Sequence, residues 1–210
     1  MPKYFMKRFT FLLCIAFLSI TFGQEKIKVT SVYGSENKEV QVLLDFENIY
    51  IQTLTFHGAT IKGKHYEVTI SEYENGNLVR TETLFDGSES DYFRNQSNTL
   101  PLTFFFKMAD GKFKGFLRGE RFGSKKVYFD LKSESDMYVL KDFFGSSNEW
   151  FFTSDTNKAT AIFAIITPKI NPDGSGSYCE VAQSDVAPER FGTHFLIPHY
   201  FLVSIRFKEK

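Results

Sequence analysis

The sequence predicts an all-β protein: an antiparallel β-sandwich, jelly-roll-like in one version, with a closed β-barrel as the alternative. Three observations carry that reading. Short runs rich in Val, Ile, Phe, Tyr and Thr alternate with turn clusters from residue 26 onward. Asn75-Gly76 and Asp110-Gly111 each interrupt an apolar alternation with the two residues that a tight hairpin turn needs at positive φ. "ATAIFAIIT" (159–167) is apolar on both faces, which suits a strand in the middle of a sheet with both sides covered.

The elements follow in order. Residues 1–23 have the layout of a secretory signal peptide. Lys3, Lys7 and Arg8 make a basic start, "FTFLLCIAFLSITF" (9–22) is the apolar run, and Thr21 and Gly23 put small side chains before Gln24. The run is short for a bilayer span. Cys14 raises a lipid-anchored alternative, which the bulky Leu13 before it disfavours. Residues 24–210 then form one domain. Strands are expected at 26–34, 38–46 and 49–58, and the Asn75-Gly76 turn folds 64–85 into a hairpin. A second hairpin spans 103–122, and 126–132 alternates as a further strand. "SESDMYVLKDFFG" (133–145) fits a helix opened by Ser133 and Asp136 and closed by Gly145; alternation fits it nearly as well. Strands at 150–155, 159–167, 177–181 and 199–207 complete the list, the last with Phe201, Val203, Ile205 and Phe207 inward. Two longer loops, 86–98 and 171–177, are where a sandwich usually carries its binding residues.

Charge and cysteine count narrow the function classes. Cleavage after Gly23 removes three of 25 basic residues and none of 25 acidic ones, so the exported chain is slightly acidic. That does not suit a general nucleic-acid binder, which needs a strong positive excess. Only Cys179 survives cleavage, so no disulfide framework forms within the chain and packing supplies the stability. The leading expectation is a periplasmic or extracellular, non-catalytic binding or envelope-associated module. A secreted glycan- or ester-cleaving hydrolase is the alternative, although no G-x-S-x-G elbow occurs and no two acidic residues stand out as a pair. No motif calls for a cofactor.

The most pointed site candidate is the second hairpin. A two-residue turn at Asp110-Gly111 sets residues opposite when their numbers sum to 221. Phe104, Phe106 and Met108 then meet Leu117, Gly115 and Phe113 on a wholly apolar face. The same register gathers Lys107, Lys112, Lys114 and Arg118 around Phe105 and Phe116 on the other face. That face suits an anionic polymer, a lipid head group or an acidic protein surface. The competing reading is edge protection by lysines, neutralised by Asp130 or Glu67 from a neighbouring strand.

Weaker constellations have ordinary structural explanations beside them. If 49–57 paired with 65–73, His57 would face His65 with Glu67 alongside, a zinc-like set that a one-residue slip would destroy. Asp86, Ser88 and Ser90 begin a calcium-loop spacing, but Asp91 and Ser97 stand where the turn glycine and the bidentate glutamate belong. Cys179 with His194 or His199 would make a thiol dyad, and Trp150 a sugar platform; a buried thiol and a core aromatic are the plainer readings.

Overall fold

The computed structural model describes residues 26–143, 149–153, 158–182 and 184–209. Two antiparallel sheets pack face to face. The first holds β1 (Lys26–Tyr33), β2 (Ile49–His57), β5 (Thr99–Ala109), β6 (Lys112–Arg118), β7 (Val127–Asp130) and β9 (Glu149–Thr153), in the order β7-β6-β5-β2-β1-β9. The second holds β3 (His65–Glu74), β4 (Asn77–Asp86), β8 (Val139–Asp142), β10 (Thr160–Ile166) and β13 (His199–Lys208), in the order β4-β3-β13-β10-β8. Neither sheet closes on itself, so this is a sandwich and not a barrel. The proposed signal segment lies outside the described residues.

Period-two alternation builds the core. Leu102, Phe104, Phe106 and Met108 of β5 are buried against Phe163, Phe201 and Val203 of the second sheet. Aromatic rings do much of the filling: Phe106 meets Phe163 edge-on at 5.7 Å, and Phe113 lies 4.8 Å from Phe201. Both hairpin turns have the expected positive φ at both central residues, 49° and 79° at Asn75-Gly76 and 53° and 69° at Asp110-Gly111. Gly76 has a second reason to lack a side chain, since a Cβ there would sit 2.6 Å from Thr193 Cγ2.

The run 159–167 is internal to its sheet, between β13 and β8. Its two apolar faces have two destinations. Phe163 and Ile165 enter the main core, while Ala164 and Ile166 point outward into a second, smaller core. That second core is built by the excursion between β10 and β13. It comprises the short ladder of β11 (Lys169–Ile170) and β12 (Gly176–Ser177), α2 (Cys179–Ala182) and α3 (Phe191–His194). Val181, Phe191, Phe195 and Ile197 bury the outer face of the second sheet.

Three sequence expectations are corrected. Residues 38–46 form a helix, α1 (Lys38–Phe46), and not a strand. Alternation at Val40, Val42, Leu44 and Phe46 suggests a strand, but Asn37 caps the backbone N–H groups of Glu39 and Val40 and so nucleates a helix. The expected strand at 177–181 is split between β12 and α2. The segment 133–145 resolves into a single 3₁₀ turn, Ser135–Met137, followed by β8; its end, with Gly145, lies outside the described residues.

Candidate functional site

The β5–β6 hairpin has the register that its turn predicts: Thr103 faces Arg118, Phe105 faces Phe116, Lys107 faces Lys114 and Ala109 faces Lys112. One face is core, with Phe104, Phe106, Met108, Phe113 and Leu117 all buried. Gly115 is required there, because a Cβ would come within 2.8 Å of Ile70 Cδ1. The other face carries the Phe105–Phe116 ring pair, centroids 5.6 Å apart, with cations on either side.

Those cations are not equivalent. Lys107 donates to Glu47 at 2.7 Å, and Lys112 is paired with Asp130. The Lys112 ammonium holds the Asp130 carboxyl below its usual range. Both pairs are surface pairs, of modest worth. Glu67 takes no part, since it lies on the other sheet and pairs with Arg206 and Lys208. Lys114 rests over the Tyr128 ring at 5.7 Å, and Arg118 forms no ion pair with another described residue. Lys114 and Arg118 are therefore the two hairpin cations left to meet something else.

At the end remote from its turn, the hairpin's outer face runs into a cleft of about 290 Å³ between the 92–102 segment and the 119–122 turn. The 86–98 loop that forms one wall is pinned at several points. Asp86 accepts from the backbone N–H and hydroxyl of Ser88, and Ser90 caps the next turn. Burial raises the Asp86 carboxyl, but the Ser88 hydrogen bonds and the Lys208 ammonium outweigh it and hold it low. These oxygens are committed to turn caps and to Lys208 and do not converge as a calcium shell. Asn95 donates to the carbonyls of Ile61 and Ser97. His65 is fully buried beneath the loop and donates from Nδ1 to the Gly87 carbonyl at 2.8 Å. Phe122 and Phe93 form the aromatic floor: Phe122 stacks on Phe85 at 4.2 Å, and Phe93 meets Phe122 edge-on at 5.4 Å. Arg94, held by Asp91 at 2.9 Å, and Arg121 stand on opposite walls with Gln96 and Glu120. Among the described residues Glu120 is the one carboxylate lining the cleft, so they assemble no pair of facing acids there.

The remaining candidates are dispersed. β2 pairs with β1 and β5, and β3 with β4 and β13, so His57 and His65 lie on different sheets and the zinc set is not brought together. His57 faces Thr99 and Lys28 and contacts the Thr30 hydroxyl at 3.2 Å. Among the described residues no group of three His, Cys, Asp or Glu side chains could hold a metal. Trp150 packs on the edge of the main core, 5.0 Å from Phe152. Cys179 is exposed, and both ring nitrogens of the buried His199 are already taken, so no thiol dyad forms with it.

Those His199 contacts belong to a buried polar chain that sequence reading missed. Nε2 lies 3.0 Å from Glu72 Oε1 and Nδ1 2.5 Å from the Tyr138 hydroxyl, while Arg80 donates to Glu72 at 2.9 Å. The Lys132 backbone N–H donates to Tyr138 Oη. Glu72 and Arg80 are directly opposed on β3 and β4, but only through a one-residue register shift between Tyr73 and Glu72, since the Asn75-Gly76 turn alone would set Val79 opposite Glu72; Tyr138 and His199 arrive from distant segments. No protein-family model matches the chain, and comparison with curated proteins and with solved structures finds no similar one.

Proposed function

We propose that this chain is an exported, non-catalytic binding module that holds an anionic polysaccharide along the outer face of the β5–β6 hairpin. The observation that carries the reading is the line Lys114, Phe116, Arg118, set on one face by a strand whose other face is core. From Lys114 to Arg118 the line runs about 13 Å at the ordinary rise of a strand. A lipid head group would engage one end of such a line, whereas a chain of sugars engages all of it. The Phe105–Phe116 pair between the cations offers the apolar surface on which sugar rings stack, and the cations steer and hold the acid groups.

Export rests on the basic start, the apolar run and the small residues before Gln24. Two experiments test the proposal. Mass spectrometry of the protein recovered from the producing cell should place its N-terminus at or near Gln24; an N-terminus at Met1, or lipid on Cys14, contradicts export. The exported form should be retained on immobilised polygalacturonate and not on uncharged dextran. Equal behaviour on the two matrices contradicts the polymer reading.

A further inference from the structure

We infer that the cleft beside the hairpin is a subsite for a single acidic sugar ring, a uronate, at the end of the bound chain. The inference rests on the polysaccharide reading only for the continuity between hairpin and cleft; the cleft's own chemistry carries the rest. A sugar ring asks for three things: an apolar surface beneath its C–H face, donors and acceptors together at its rim, and, if it bears a carboxylate, an uncommitted cation. The cleft supplies each.

The floor is Phe93 and Phe122, braced from below by Phe85, so the apolar surface is fixed in place and not merely exposed. Tyr92, 61 % exposed and edge-on to Phe93 at 5.2 Å, continues that surface out of the cleft. The rim mixes acceptor and donor chemistry: Glu120 accepts only, Arg94 donates only, and the Gln96 amide does both. Arg94 already has Asp91 as its counter-ion. Arg121 forms no ion pair with another described residue, and a guanidinium matches a carboxylate with two parallel hydrogen bonds. The volume of about 290 Å³ lies at the small end of ligand sites, which suits one ring and not an extended chain.

Connectivity gives the site its place on the ligand. The cleft lies beside the end of β5 and takes Thr99 and Pro101 from the outward side of that strand together with the buried Leu100 and Leu102 from its inward side, and Gly119 follows Arg118 directly. A chain lying along the hairpin therefore delivers its end to the cleft.

The test uses digalacturonate, too short to cover the hairpin, with the uncharged disaccharide of the corresponding neutral sugar as control. Binding is followed by amide chemical shifts in the exported protein. Digalacturonate should shift amides in 92–97 and 119–122. Arg121→Ala should weaken it at least tenfold, and Arg121→Lys should recover part of the loss. The inference is overturned if digalacturonate shifts only hairpin amides or none, if Arg121→Ala leaves its affinity unchanged, or if the neutral disaccharide binds equally well. Polymer binding that persists with the cleft amides unmoved overturns the subsite and leaves the hairpin reading standing. Digalacturonate in the cleft without polymer retention does the reverse.

Discussion

Each ring nitrogen of His199 has one partner, and for a neutral ring those partners fix which nitrogen carries the hydrogen. Glu72 can only accept, so Nε2 carries the hydrogen; Nδ1 then accepts from the Tyr138 hydroxyl, which itself accepts the Lys132 N–H. The ring is neutral and every atom of the chain is satisfied, with Arg80 supplying the counter-charge to Glu72. Burial pushes the His199 pKa down, and the opposing pull of Glu72 does not cancel it. An unfolded chain takes up a proton on this group near the ordinary histidine value of about 6.5, before the folded protein does. Stability should therefore fall as pH drops below about 6.5 and keep falling until the folded ring is itself protonated. Urea midpoints between pH 7.5 and 5.5 measure this: the wild-type midpoint should drop on the acid side, and His199→Gln should flatten that arm. A wild-type midpoint that rises toward pH 5.5 contradicts the assignment. None of this was legible in the sequence, because contacts such as the one between His199 and Glu72, 127 residues apart, have no local signature.

At the scale of elements, two apolar patterns that look alike in the sequence fold to opposite ends. The β5–β6 hairpin was readable to the residue, since a two-residue Asp-Gly turn fixes the register and the register fixes both faces. α1 was misread because its apolar residues alternate, and only the Asn37 cap and the Gln41 amide oxygen accepting from the Ser35 N–H reveal the helix. That helix turns Gln41 toward the body of the protein and leaves Phe46 82 % exposed. The contrast is measurable. Phe106→Ala empties a fully buried position and should cost about 3–5 kcal/mol. Phe46→Ser should stay within about 0.5 kcal/mol of wild type, as surface substitutions do. Denaturant unfolding of the two variants checks both, and a large loss from Phe46→Ser would mean that α1 packs inward. The pairing of β2 with β3 failed for a related reason. The seven-residue stretch between them fixes no register, and it in fact carries the chain from one sheet to the other.

For the whole molecule, the second core gives the two sheets unlike outer faces. The excursion between β10 and β13 covers the outer face of the second sheet. The outer face of the first sheet carries Lys114, Arg118 and the Phe105–Phe116 pair that we propose hold the ligand, and the 86–98 loop walls the cleft at one end of it. The loop's location was legible as a long turn-rich stretch. Its cleft was not, because Phe85, Phe93 and Phe122 meet only through the sandwich. Lys107 and Lys112 read in sequence as equal members of the cationic face, and their acids come from α1's exit at Glu47 and from β7 at Asp130. The account thus concentrates binding on Lys114 and Arg118, whose charges are exposed to screening. The most direct test is the dissociation constant of the protein for polygalacturonate at rising salt, wild type against Lys114→Glu with Arg118→Glu. The account predicts wild-type binding that weakens steeply with salt, and a double variant that melts at the wild-type temperature but binds at least tenfold more weakly at low salt. A double variant that binds as tightly as wild type, with the same salt dependence, would contradict it and leave those side chains as edge protection alone.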